Sequence, residues 1–261
     1  YPVLHSEVQP KDLTKDSPLN AFKPPKSIHD DEEDVLHWIL EEFSQHDRDK
    51  FRTVLETDGK RRSQFKAFDT SIMELADDIS YGVHDLEDAL ALGLVTERQW
   101  REDVLQQAHD DSLLITEAEF YNDKLFSPDN RDRKHAISKL IGYLVRQISV
   151  ERQQQFEHPQ LDLQATLPAE AEHTLELLKR FVFKHVIRSA EVKAMEFKGQ
   201  RIIMALFEAL SDAPEQLLQP STLQKYQQAS NPRRVICDYI SGMTDHFARR
   251  QYSQLFGMSS L

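Results

Sequence analysis

Between Lys66 and Arg98 the chain carries no Lys or Arg, and over residues 70–92 its apolar side chains recur at the period of an α-helix. Ile72, Leu75, Ala76, Ile79, Val83, Leu86 and Leu90 fall on one side. Asp77, Tyr81 and Asp85, spaced four apart, stack on the opposite face. That pattern dictates one long amphipathic helix, with one side docked into a core and the other presenting acid, ring, acid. Six acids from Glu74 to Asp88 find no neutralising partner within this helix. Such a cluster is solvated, paired from elsewhere or bound to a cation, and the residues alone leave all three open. Gly82 costs about 1 kcal/mol relative to alanine inside a helix. It implies close approach by a ligand, another backbone or a packed helix.

Helical periodicity runs through most of the chain, and only seven of its 261 residues are glycine. The expected fold class is therefore all-α, a compact multi-helix assembly. A formal charge of −12 argues against a general nucleic-acid coat. Cys237 is the single cysteine, which excludes an internal disulfide and a thiolate zinc cluster. No apolar stretch approaches the roughly 18 residues of a membrane span, and no secretory signal is present. A cytoplasmic protein with no membrane partner is expected.

Prolines 2, 10, 18, 24 and 25 make residues 1–30 read as an extended arm, with residues 31–261 as the helical portion. The first helix is expected over residues 31–44, with Val35, Leu36, Ile39, Leu40 and Phe43 inward. Residues 45–66 are too charged to assign. Gly93 stands where a C-terminal cap falls after the 70–92 helix. Thr96 and Gln99 form a capping box opening a helix to about residue 108. Further helices are expected over residues 132–156, 169–188, 190–210, 221–228 and 232–256. Ile137, Leu140, Ile141, Leu144 and Ile148 mark the core side of the first of these, and a break separates Pro159 from Pro168.

Three blocks carry a resemblance to a known family: SIMELADDISYGVHDLEDAL at 71–90, EFKGQRIIMALFEAL at 196–210 and RRVICDYISGMTDHFARRQYSQLFG at 233–257. Together they resemble the dGTPase, or deoxynucleoside triphosphate triphosphohydrolase, family of HD-domain enzymes. The resemblance implies hydrolysis of a dNTP, dGTP-type most of all, to a deoxynucleoside and tripolyphosphate. It also implies a divalent metal (Mg, Mn, Co or Fe), with Asp77 as its final ligand. Tyr81 would pack against the sugar, Asp85 would accept a hydrogen bond from the 3′-hydroxyl, and Glu196 would face the substrate pocket or form a helix-surface ion pair. A homo-oligomer and a regulatory nucleotide belong to the same expectation. Asp78, pointing about 100° away from Asp77, is expected to brace the helix. His84 is expected to be structural or solvent-exposed, and Asp238, Tyr239 and Asp245 to brace the last helix. Lys184, Arg188, Lys193, Lys198, Arg201, Arg233 and Arg234 could meet a triphosphate or a regulatory nucleotide, although each alone reads as a solvated charge.

The chain departs from the family upstream of Asp77. The family's other ligands are a His and a His-Asp pair from a histidine-rich stretch. His29-Asp30, His46-Asp47, His84-Asp85 and His109-Asp110 all lack those surroundings. The chain therefore looks like the family's C-terminal portion, with an upstream segment of the same protein expected to complete the site and this chain alone expected to be inactive. The alternative is a non-catalytic nucleotide-binding or oligomerisation subunit of the same fold. An acidic helical interaction protein with no nucleotide role is a third reading.

Overall fold

A computed structural model of the protein describes residues 1–8, 26–57 and 60–257. The described chain is all-α in class. Its order begins with α1 (His5–Val8), α2 (Glu33–Leu40) and α3 (Gln45–Phe51), followed by a hairpin of β1 (Val54–Thr57) and β2 (Lys60–Ser63). Next come α4 (Phe68–Ala91), α5 (Glu97–Asp103), α6 (Leu113–Thr116), α7 (Ala118–Leu125) and α8 (Asn130–Gln147). Strands β3 (Ser149–Arg152) and β4 (Leu163–Thr166) pair antiparallel around the short α9 (Pro159–Asp162). Helix α10 (Ala169–Val182) leads through a π-helical turn at Phe183–Ile187 into α11 (Ala190–Asp212). The series closes with α12 (Pro214–Leu217), α13 (Pro220–Gln228), α14 (Pro232–Ser241) and α15 (Asp245–Phe256). No described helix is long and apolar enough to cross a membrane.

The chain divides into two compact units, Tyr1–His185 and Val186–Leu261. In the first, α4 packs against α8, α10 and β4. Ile79, Val83, Leu86 and Ala89 are buried on its inner side, facing a core that includes Leu140, Leu144, Leu175 and Leu178. A second cluster joins Leu36, Leu40, Phe43, Phe51 and Leu161. The other unit is built on Ile202, Leu206, Leu210, Ile236 and Ile240.

Helix α4 ends where the sequence says it should. Gly93 adopts φ +67°, its N–H reaches the carbonyl of Leu90 at 3.2 Å, and the N–H of Leu94 reaches that of Ala89 at 2.9 Å. This is a Schellman cap, which satisfies carbonyls the helix leaves open. Thr96 and Gln99 complete the expected capping box on α5, but that helix stops at Asp103 rather than near residue 108.

Several expected boundaries move. The 31–44 helix shortens to α2, and Val35 and Ile39 are exposed while Leu36, Leu40 and Phe43 are buried. The unassigned 45–66 stretch forms α3 and the β1–β2 hairpin. The 132–156 helix stops at Gln147, because residues 149–152 pair with 163–166 across the expected break. The 232–256 helix is two helices, since Thr244 accepts from the N–H of Phe247 and starts a new one. Of the arm expected over residues 1–30, residues 9–25 lie outside the described ones. Val3, Leu4 and Val8 are buried, and Leu4 bridges in parallel to Ile28.

Candidate functional site

Helix α4 does present acid, ring, acid on one face. Asp77 is exposed, and Tyr81 and Asp85 are half-buried. None of the three makes a hydrogen bond or ion pair among the described residues. Partial burial raises the Asp85 carboxyl above its ordinary range; Asp88 adds to this and His84 opposes it. The Tyr81 phenol is likewise raised by burial and by Asp85, with Lys179 pulling the other way. Among the described residues these three polar side chains are thus left without hydrogen-bond partners, two of them partly desolvated.

Two of the neighbouring acids, Asp78 and Glu74, are neutralised from outside the helix. Asp78 meets Lys179 of α10 at 3.0 Å, so it braces two helices as expected. Lys179 also donates to Glu176 at 2.7 Å. Gly82 makes that approach possible: a Cβ there would lie 3.0 Å from Leu175 Cδ1 and 3.4 Å from Lys179 Cγ. The close approach that Gly82 implies is thus a packed helix. Glu74 takes hydrogen bonds from the Tyr1 hydroxyl, Lys26 and Lys66, the last at 2.9 Å. Its partial burial would raise its pKa, but these three donors outweigh it and hold the carboxyl at about 2. His84 is exposed and lies 3.7 Å from Glu87, a surface pair.

A groove of about 700 Å³ opens beside the N-terminal half of this face. Glu74, Asp77 and Asp78 of α4 line one side. Gln153, Gln164 and Thr166 bring amides and a hydroxyl from the β3–β4 region, and Lys26 and Lys66 bring ammonium groups. Leu75 and Leu175 add apolar lining.

A metal centre needs more donors than are gathered here. Asp77 offers one carboxylate, and among the described residues no three His, Cys, Asp or Glu side chains come together to hold an ion. The described donor set therefore does not fit a metal by itself. Three of the four His-Asp pairs have a member otherwise engaged. Asp47 is fully buried and accepts from the N–H groups of Glu157 and His158 at 3.0 and 2.8 Å. Asp30 accepts from the N–H and hydroxyl of Ser6. His109 stacks on His173 with centroids 4.0 Å apart and bonds Glu170.

The other candidates sit in the second unit or at its approach. Glu196 on α11 is exposed and pairs with Lys193 at 2.7 Å, the helix-surface ion pair weighed above. Lys184 is held by Asp103 and Arg234 by Asp238. Tyr239 packs, partly buried, on the core of its unit, and Asp245 opens α15.

Comparison with known proteins decides the family. A phosphohydrolase-associated domain matches residues 165–254. A deoxyguanosinetriphosphate triphosphohydrolase-like protein of Shewanella baltica (strain OS195) is 42% identical over 275 residues, covering 98% of this chain and 61% of that protein. One from Shewanella sp. (strain ANA-3) is 45% identical over 247 residues, covering 91% and 55%. The chain matches the C-terminal portion of the dGTPase-like triphosphohydrolase family. A third member, from Shewanella loihica (strain ATCC BAA-1088 / PV-4), is 41% identical over 270 residues, with coverage of 98% and 61%. The chain thus spans 55% to 61% of the length of these relatives.

Periodicity marks the α4 face but not what surrounds it. Lys26 and Lys179 reach it from distant segments and Lys66 from just before the helix, and no helical spacing announces such pairings. One signal was available: uncompensated acids on a half-buried helix require cations from elsewhere.

Proposed function

We propose that this chain supplies the nucleotide-holding wall of a metal-dependent dNTP triphosphohydrolase, with dGTP-type substrate, yielding a deoxynucleoside and tripolyphosphate. The observation that carries this is the alignment of Asp77, Tyr81 and Asp85 on one face of α4, unpaired among the described residues, in a chain that matches this family. Asp77 and Asp85 stand two turns apart, about 12 Å along the axis at 1.5 Å per residue. That span separates a carboxylate facing the reacting phosphate from one facing the sugar. Tyr81 between them stacks on the sugar ring, where close packing discriminates against a 2′-hydroxyl. Asp85 accepts the 3′-hydroxyl, and a site built to bond that hydroxyl penalises ligands lacking it. Asp77 is one ligand of a divalent ion whose other ligands lie outside the described residues. Ile72 and Met73, 47% and 70% exposed on α4 near Asp77, mark apolar surface that such additional chain would cover. Glu196 would act in base recognition if its surface pair opens to ligand. The reading extends to a homo-oligomer, a regulatory nucleotide and a cytoplasmic setting.

Thermal shift with each dNTP and with the deoxynucleosides tests the wall. Stabilisation by deoxyguanosine and dGTP, lost in Asp85→Ala, is expected. An equal response in Asp85→Ala would remove the sugar assignment. Tripolyphosphate release by a preparation carrying the full metal centre separates the enzyme from a non-catalytic nucleotide-binding subunit. There, Asp77→Ala should lose metal while Asp85→Ala keeps it.

A further inference from the structure

Helix α2 is apolar on two sides, and the core uses one of them. Leu36 and Leu40 are buried, whereas Val35, Trp38 and Ile39, at i, i+3 and i+4, form a second stripe facing solvent. Trp38 is 70% exposed. A large ring left outside in a contiguous apolar patch marks an interaction surface. Its surroundings are acidic: residues 30–42 hold seven carboxylates and no Lys or Arg, and Asp34, Glu41 and Glu42 are exposed beside the stripe. The β1–β2 hairpin offers the converse. Leu55 stands opposite Arg62 and Thr57 opposite Lys60, so these four share one face of the hairpin. All four are exposed, while Ser63 on the other face is buried. The hairpin thus sets cations around an apolar side chain where α2 sets carboxylates around an apolar stripe. Both elements belong to the Tyr1–His185 unit and rest on one cluster, which contains Leu36 and Leu40 and against which Phe65, just past β2, is packed. Within one copy the two patches leave each other exposed. Another copy can bring them together.

We propose that a second copy of this chain docks here, with the α2 stripe of each copy on the hairpin face of the other. The inference rests on the homo-oligomer reading and gives it a surface, and the opposite charges of two patches on one chain select the occupant. A two-fold axis makes the contact reciprocal, so a pair of copies closes two identical seams. In each seam Trp38 is the aromatic anchor, packed on Leu55 and the aliphatic stem of Arg62. Asp34 and Glu42 face Lys60 and Arg62, which steers the approach and disfavours helix on helix or hairpin on hairpin, where like charges would meet.

The test is sedimentation equilibrium of the 261-residue chain and its charge reversals. Lys60→Glu/Arg62→Glu and Asp34→Lys/Glu42→Lys each place like charges in both seams, and each is expected to weaken self-association roughly tenfold or more. Mixed in equal amounts, the two variants should associate with each other. In the mixed pair one seam keeps the original signs and the other carries both reversed, so opposite charges meet in each. Trp38→Ala should also weaken self-association, and that of the unaltered chain should fall as salt rises. An oligomer that survives both reversals and Trp38→Ala overturns this surface and leaves the homo-oligomer reading standing. Loss in both reversals with no recovery in the mixture overturns the pairing of α2 with the hairpin. An unaltered chain that stays monomeric overturns the surface and the homo-oligomer reading together. The altered side chains are all exposed, so circular dichroism and melting should match the unaltered chain. Where a reversal unfolds the chain, Trp38→Ala still decides the surface.

Discussion

A methyl group at Gly82 would sit 3.0 Å from Leu175 Cδ1 and 3.4 Å from Lys179 Cγ, so these side chains of α10 would have to give by a few tenths of an ångström. Gly82→Ala is therefore expected to destabilise by about 1–3 kcal/mol, the usual cost of overpacking. Urea denaturation measures it, and a stabilised variant would show that the glycine is a helix-propensity defect instead. Glu74 gives a pH prediction of definite sign. Its folded pKa of about 2 lies below the ordinary 4.5. Stability from its contacts with Lys26, Tyr1 and Lys66 is thus fully present above pH 4.5 and is lost as pH falls through about 2. Melting temperature measured over that window should fall less steeply in Glu74→Gln. Equal slopes would mean that these contacts contribute no net stability. The sequence displayed Asp77, Tyr81 and Asp85 because helical spacing is local. It hid the lysines because an ion pair such as Lys26–Glu74 depends on folding that brings together positions 48 residues apart.

Among the elements, legibility followed capping chemistry. Gly93 and the Thr96–Gln99 box were readable because each is a local hydrogen-bond solution to a helix end. The break at Gly242–Thr244 carried the same kind of signal, a glycine and then a threonine before an acid, yet apolar periodicity running on to Phe256 overrode it. The end of α8 had no such mark. Residues 149–152 are drawn into a strand by 163–166, and only the partner strand decides between helix and sheet there. Gly93 tests how much the α4 cap matters. Its φ of +67° is left-handed, and a Cβ would meet nothing within 4 Å, so strain in Gly93→Ala is purely conformational. A loss of about 1–2 kcal/mol is expected, with Gly93→Asn less affected because asparagine tolerates that region. Chemical denaturation of both variants measures the difference, and an alanine variant as stable as the original would show that the cap relaxes freely.

At the scale of the molecule, the resemblance ran through both units: its first block forms α4, and the other two fall in α11, α14 and α15. The helix boundary near residue 189 was legible, but the division into two units at Val186 was not, because a break between two helices does not say whether they share a core. The donor inventory of the whole chain leads to a last prediction. All eleven histidines and the single cysteine lie among the described residues, where no three metal-ligating side chains come together. Residues 9–25, 58–59 and 258–261 contain only Asp12, Asp16 and Asp58 as possible ligands, so no further imidazole can come from them. Catalytic centres of this kind take at least three protein ligands and keep a position for water. The 261-residue chain, purified alone with manganese or iron, is therefore expected to hold well under one equivalent of metal and to release no tripolyphosphate from any dNTP. Deoxynucleoside binding to the α4 face should survive, since Tyr81 and Asp85 need no metal to meet a sugar. Elemental analysis by mass spectrometry and a tripolyphosphate assay read the two quantities. Stoichiometric metal with turnover would mean that Asp77 is joined by donors that assemble only when ligand binds.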